Sequence, residues 1–405
     1  MNIKLIKSEF PIFRQKTPAG NDLIYLDSAS STQKPQSVID SITEFYSSHY
    51  ANTGRASYWP ATQSTRQVEQ VRKKVQEFIG TKSVSEVVFT SGTTDSINKL
   101  ANSIFNSDLW KGKQIIVSEM EHHANLVPWQ IAAERHGLEL ASIPVNDDGE
   151  LDMAAYRQLL EKPTALVAIT AISNVLGTLN DVNTICGLAK ATGALTFVDA
   201  AQMAPYSGIN VDHLCCDFLS FSGHKLYGPT GIGVLYGKEE LLNHMPPLAF
   251  GGGMITEVDL DKSDFRDSPY RHEAGTLNIA GIIGLGAAID FVMSIGIETI
   301  QSHEDELTHE LLDRLSSIDG LKVLGAQERR GALVSFTIDD LHPHDLSTYL
   351  NESGICVRAG HHCAQPLMKK YQIPASTRVS FGVYNDLNDI DIFIHALKST
   401  CQFFL

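Results

Sequence analysis

Seven short apolar runs, most of them separated by helix-like stretches, constrain this chain more than any other feature. They are Glu86–Thr90, Gln114–Ser118, Leu138–Ile143, Ala165–Thr170, Ala194–Val198, Asp217–Phe221 and Ile232–Tyr236. Several are rich in β-branched residues and nearly continuous in apolar character. A strand of that kind is buried on both faces, which is the condition of a largely parallel sheet covered by helices. The last two runs lie too close together for a helical crossover, so they are expected to pair antiparallel. Trp59 to Ile79 reads as a helix, because Val68, Val71, Val75 and Phe78 recur at spacings of three and four.

Gly251-Gly252-Gly253 then opens a glycine-rich, charged region to about Asn278 that reads as loop, followed by an apolar helix over Ile279 to Ile295. The remainder reads as a smaller α+β domain, with strands near Leu321–Leu324, Ala332–Ile338, Ile355–Arg358 and Thr377–Phe381. Its helices are expected near Ile300–Ile318, His344–Ser353 and Asp386–Phe403. A chain of 405 residues exceeds one ordinary core. The expected division is an N-terminal segment at 1–20 packing with the small domain, a large domain at 21–285 and the small domain at 286–405. A net charge of −15 without a basic run argues against a nucleic-acid partner. No apolar stretch reaches membrane-spanning length, and Met1 to Phe10 lacks the apolar core of a signal peptide, so a cytoplasmic location is expected. Six cysteines with no CxxC pair argue against a disulfide framework or a structural zinc site.

In a sheet of this kind functional groups gather beyond the carboxyl ends of the strands. The first run leads into Ser91-Gly92-Thr93-Thr94, a turn that suits either phosphate or plain helix capping. After the second run stand His122 and His123, one of which can stack on a ring or shuttle protons. For His122 the plainer reading is a helix-start histidine with a solvent or backbone partner. Asn174 follows the fourth run, and Asp199 and Gln202 follow the fifth. A buried Asp199 needs a cation such as a pyridinium nitrogen, unless it caps the next helix. The sixth run ends in Ser222-Gly223-His224-Lys225. A lysine there is either a surface turn residue or a desolvated amine able to form a Schiff base with an aldehyde. Each feature has an ordinary explanation. Together they describe a pyridoxal 5′-phosphate site.

The motifs are Leu26-Asp27-Ser28-Ala29, Ser91-Gly92-Thr93-Thr94, Glu121-His122-His123-Ala124-Asn125 with Pro128-Trp129, Ser173-Asn174-Val175-Leu176-Gly177, Val198-Asp199-Ala200-Ala201-Gln202, Ser222-Gly223-His224-Lys225-Leu226-Tyr227-Gly228-Pro229, Glu273-Ala274-Gly275-Thr276 and Arg358-Ala359-Gly360-His361-His362-Cys363-Ala364. On these the chain resembles the group II, Suf/Csd-type cysteine desulfurases of the class V aminotransferase superfamily. The resemblance implies a fold-type I α/β enzyme with a mostly parallel seven-stranded sheet, acting as a homodimer with pyridoxal 5′-phosphate. It implies Lys225 as the Schiff-base lysine, Asp199 at the pyridine nitrogen and His123 stacked on the ring and assisting proton transfer. Gln202 and Asn174 would lie near the ring oxygen. Thr93, Thr94, Ser222 and His224 would surround the phosphate, and Thr276 would reach the phosphate held by the partner subunit.

Cys363 lies between glycine and proline, with Arg358, His361 and His362 near in sequence as cations able to activate a thiol. A zinc set is set aside, since adjacent ligands rarely satisfy tetrahedral geometry together. Arg378 offers a planar fork for an amino-acid carboxylate, with Arg358 and Asn174 as further substrate contacts. The expected reaction converts L-cysteine to L-alanine with persulfide formation on Cys363. The sulfur then passes to an acceptor protein, for iron–sulfur cluster or other sulfur-containing cofactor assembly. Selenocysteine lyase action on L-selenocysteine and a non-catalytic sulfur-transfer partner of the same fold are the alternatives. Two positions depart from the family pattern. Gly54, before Arg55, replaces a common histidine, and Leu277 replaces a common proline.

Overall fold

The structure is a computed structural model, and it describes residues 1–54, 56–105, 110–326 and 328–404. All seven apolar runs are strands of one sheet. They are β1 (Val87–Thr90), β2 (Gln114–Ser118), β3 (Glu139–Ile143), β4 (Thr164–Thr170), β5 (Leu195–Asp199), β6 (Phe218–Ser222) and β7 (Gly233–Gly237). Their spatial order is β1-β7-β6-β5-β4-β2-β3. Only β7 runs against the rest, pairing antiparallel with both β6 and β1. Its short link to β6 leaves no other option.

Alternate strand residues feed two separate cores, as burial on both faces demands. Val87, Phe89, Val167, Ile169, Val198, Leu219 and Phe221 face one. Val88, Leu166, Ala168, Phe197 and Phe218 face the other. The expected helix forms as α1 (Trp59–Ile79) and buries Val68, Val71, Val75 and Phe78. Gly80, at φ +67°, ends it in a left-handed cap. On the opposite face α2 (Thr93–Ser103) buries Ile97, Leu100 and Ala101. The apolar helix is α3 (Ile279–Ile295); it is mostly buried, and no single helix is long and apolar enough to cross a membrane among the described residues.

The glycine-rich region is not all loop. Ile255–Val258 and Ser263–Phe265 form an antiparallel hairpin. Its acidic, exposed residues hide the alternation that would mark strands. After α4 (Ile297–Leu315), a second sheet contains β8 (Leu321–Val323), β9 (Leu333–Ile338), β10 (Arg358–Gly360) and β11 (Ser376–Ser380) in the order β8-β9-β11-β10. The single run expected over 355–358 is split. Ile355 and Cys356 pair in parallel with Ile24 and Tyr25 from near the N-terminus, and only Arg358 to Gly360 join β11. That pairing brings Asp27 beside the second sheet. Upstream, Phe10 packs edge-on against Tyr227, Phe291 and Tyr384, and Lys7 pairs with Asp389 on α6 (Leu387–Phe404). The short helix Gln365–Lys370 is α5.

One buried ion pair ties the loop before α3 to the sheet. Arg72 on α1 donates to both carboxylate oxygens of Glu273, at 2.7 and 2.9 Å, and to the carbonyl of Val87. Glu273 also accepts the Phe89 amide at 2.7 Å. Glu273→Leu is expected to cost about 3–5 kcal/mol in urea unfolding, because it strands a buried guanidinium. Arg72→Met in the same chain should recover much of the loss.

Candidate active site

The carboxyl ends of β1, β2, β4, β5 and β6 open onto a cavity of about 320 Å³, within the usual range for a cofactor site. Lys225, Asp199, Gln202, Asn174, Thr93, Thr94, Ser222, His224, Arg358, Arg378 and Cys363 all line it. His123 and Thr276, the other two expected site residues, do not.

At one end the chain turns through Gly92 into α2. Gly92 sits at φ +146°, which favours glycine, and Gly233 on β7 must also be glycine because a Cβ there would lie 2.5 Å from the Gly92 Cα. This close approach sets Ser222 Oγ 2.9 Å from both the Thr93 amide, which donates to it, and the Thr93 hydroxyl. Thr93 and Thr94 at the helix start, with Ser222 and His224 opposite, form a donor set suited to a phosphate. Burial, with the charges of Lys225 and Lys34, pushes His224 down to about 4, so its imidazole is neutral.

On the floor, Asp199 is buried, and its Oδ1 accepts the Ala201 amide at 2.9 Å. Burial raises its pKa despite that bond and the nearby Lys225 charge. Lys225 has no hydrogen bond or ion pair at its Nζ among the described residues. Burial pushes its amine down to about 8, against the pull of Asp199. In the cofactor-free protein, reductive capture of an aldehyde at Lys225 is therefore expected to rise with pH through a midpoint near 8, against an ordinary lysine value of 10.5. Mass spectrometry after borohydride treatment across pH checks this.

The histidine pair divides differently from the expectation. His122 lines the cavity, and its Nδ1 accepts the Ala124 amide at 3.0 Å. It is the helix-start residue with a backbone partner, and that same bond orients its ring. Burial, then the Lys225, His123 and Arg378 charges, holds its pKa at about 3. His123, next in the chain, turns away to the Cys363 segment. Its amide donates to the Cys363 carbonyl at 2.6 Å. Behind His122 lies a buried network that sequence reasoning missed. Glu121 accepts from Ser118 Oγ, the Thr170 amide and Asn125 Nδ2, and Trp129 Nε1 donates to Asn125 Oδ1. Burial raises the Glu121 carboxyl to about 8.

Asp27 is the other missed residue. Arg358 reaches it with Nε and Nη2, the latter at 2.9 Å, and Arg378 Nη2 lies 3.2 Å from its Oδ1. Burial alone would raise Asp27, but the Arg358 bonds, the Arg378 charge and Ser30 hold it below the usual carboxylate value. Arg378 is buried and also donates to the Asn174 carbonyl and Ser30 Oγ, so its fork is fixed. Asn174 Nδ2 donates to the His362 carbonyl, and Gln202 Nε2 donates to the Ala29 carbonyl. Cys363 is exposed at the cavity edge. No group of three or more potential metal ligands occurs among the described residues.

Thr276 lies in a separate cleft of about 710 Å³, together with Asn52, whose Nδ2 donates to it at 3.3 Å. Both departures from the family pattern, Gly54 and Leu277, line the same cleft. Gly54 sits at φ +115°, where a histidine would be strained. Arg55 lies outside the described residues.

The model of the class-V aminotransferases matches residues 24–393. The chain belongs to this family. A probable cysteine desulfurase of Halalkalibacterium halodurans is 46% identical over 404 residues, covering 100% of this chain and 99% of the relative. A cysteine desulfurase of Pectobacterium atrosepticum is 45% identical over 397 residues, covering 98% and 97%. Among solved structures, an Escherichia coli cysteine desulfurase superposes with a TM-score of 0.92 at 35% identity, covering 100% of both chains. The apo cysteine desulfurase of Thermococcus onnurineus gives 0.91 at 37%, covering 97% of this chain and 98% of the other. The family depends on pyridoxal 5′-phosphate. The residues present fit that group, with phosphate donors at one end, a buried acid on the floor and, between them, an amine without a hydrogen-bond partner among the described residues.

Proposed function

We propose that this chain is a cysteine desulfurase that converts L-cysteine to L-alanine and keeps the substrate sulfur on Cys363 as a persulfide. The observation that carries the reading is one cavity shared by a partnerless Lys225, a buried Asp199, a fixed Arg378 and an exposed Cys363. Lys225 and Asp199 serve a pyridoxal enzyme of any kind. The thiol at the cavity edge is what suits sulfur removal.

When bound, pyridoxal 5′-phosphate supplies an electron sink for the charge left on the substrate carbon. Thr93, Thr94, Ser222 and His224 would hold its phosphate, Asp199 its pyridine nitrogen, and Lys225 its aldehyde. Gln202 and Asn174 would lie by its ring oxygen. In place of His123, His122 would cover the ring face, since His122 is the histidine that lines the cavity. Arg378, oriented by Asp27 and Ser30, grips the substrate carboxylate, and Arg358 braces Asp27 from the open side. Lys225, once free, takes the α-proton. The Cys363 thiolate donates an electron pair to the substrate sulfur, the Cβ–S bond breaks, and the released pair stays with Cβ. Protonation at Cβ and return of the proton from Lys225 to Cα complete alanine.

The active form is a homodimer in which Thr276 of one copy completes the phosphate site of the other, which accounts for its place in a separate cleft. The division at 1–20, 21–285 and 286–405 remains our reading of the domains. An acceptor protein removes the sulfur. Six free cysteines suit the reducing cytoplasm. The test is product analysis with L-cysteine and a thiol reductant. Equal amounts of alanine and sulfide are expected. Pyruvate and ammonia, or amino transfer to a 2-oxo acid, would overturn the reading.

A further inference from the structure

Cys363 is held in a costly backbone conformation. His362 and Cys363 are consecutive non-glycine residues in the left-handed region, at φ +50° and +55°, directly after Gly360 and His361. Such a pair persists only where its surroundings enforce it. Here four hydrogen bonds hold it. Asn174 Nδ2 donates to the His362 carbonyl at 2.7 Å, and the Cys363 amide donates to His361 Nδ1 at 3.0 Å. The Cys363 carbonyl accepts the His123 amide at 2.6 Å. The Gln365 amide donates to His123 Nε2 at 3.1 Å.

His123 therefore grips the peptide groups on both sides of Ala364, the residue after Cys363. Its backbone holds the carbonyl of Cys363, and its ring holds the first amide of α5. The ring does so as an acceptor, which requires Nε2 to be free of a proton. Its neighbour His122 lines the cavity. One dipeptide thus sets the nucleophile segment in register with the cavity wall.

We propose that His123 is a positioning residue, whose ring holds the Cys363 segment in its attacking arrangement. The proposal rests on the reading of Cys363 as the sulfur acceptor. Substitution leaves the backbone half of the grip and removes only the ring half, so the fold should tolerate it. His123→Ala deletes the acceptor. His123→Gln restores one, because Oε1 lies the same number of bonds from Cβ as Nε2 does.

Two measurements test the proposal. The first is hydrogen–deuterium exchange of the segment 360–366 in the cofactor-free protein. The second is single-turnover persulfide formation in the loaded enzyme, with the half-saturation by L-cysteine read from the cofactor spectrum. In His123→Ala the segment is expected to exchange about tenfold faster. Persulfide formation should slow about tenfold or more, as for a misplaced reacting group, at unchanged half-saturation. His123→Gln should recover both. Unchanged exchange in the alanine variant would overturn the proposal. So would faster exchange with unaffected persulfide formation, or a glutamine variant no better than alanine. Absence of persulfide in the parent enzyme would instead sink the desulfurase reading, while exchange would still report on the grip.

Discussion

Cys363→Ala is expected to lose alanine formation from L-cysteine by about three orders of magnitude or more, the scale seen when a nucleophile is deleted. The same variant should keep its cofactor spectrum and its spectral response to L-cysteine. The reason for the split is spatial. Cys363 stands exposed at the edge of the cavity, whereas the phosphate donors, Asp199 and Lys225 lie within it and, among the described residues, make no hydrogen bond to the thiol. Removing the thiol therefore removes the sulfur acceptor and little else. Stopped-flow spectra with product assay check both halves. Full retention of turnover on L-cysteine would refute the assignment. Retained turnover on L-selenocysteine alone would show that the site can release selenium without the thiol.

Lys225→Met is expected to abolish turnover by at least about 10⁴-fold, the upper range for a lost general base. It should also end borohydride fixation of the cofactor. Its effect on the cofactor-free fold runs the other way. Burial pushes the Lys225 pKa down, which means that the folded state disfavours the charged amine. Below about pH 8 the amine is charged in both folded and unfolded chains, so the folded state bears the full cost there. Stability from this group rises with pH between about 8 and the unfolded value of 10.5. Methionine keeps the side-chain length without the charge. The cofactor-free variant should therefore be at least as stable as the parent at pH 7, and should lose that advantage at high pH. A lower melting temperature at pH 7 would count against the burial argument.

The two readings of the site differ in how far the sequence could carry them. Strand ends were legible because a strand buried on both faces is written as a near-continuous apolar run, and Thr93, Asn174, Asp199, Ser222 and Lys225 follow such runs directly. Their convergence needed only the rule that parallel strands end on one side. The histidine pair was not legible in this way. Adjacent residues in an extended turn point apart, and nothing in the spacing says which one enters the cavity. The capping bond from Ala124 to His122 decides it. Asp27 was hidden for a different reason. It reaches the two arginines through a two-residue pairing between positions 24–25 and 355–356, too short and too distant in sequence to leave a pattern. Glu121 was quoted within a motif, but its burial behind β2 appears only once Thr170 and Asn125 are seen to satisfy it.

The central claim is that Cys363 takes sulfur from a substrate processed at Lys225. Mass spectrometry of the enzyme after brief exposure to L-cysteine, with alanine counted in the same sample, tests it most directly. The account predicts one added sulfur atom on the peptide carrying Cys363, matched by one alanine. Alanine without added sulfur on that peptide, or sulfur carried by Cys215, Cys356 or Cys401 instead, would contradict it.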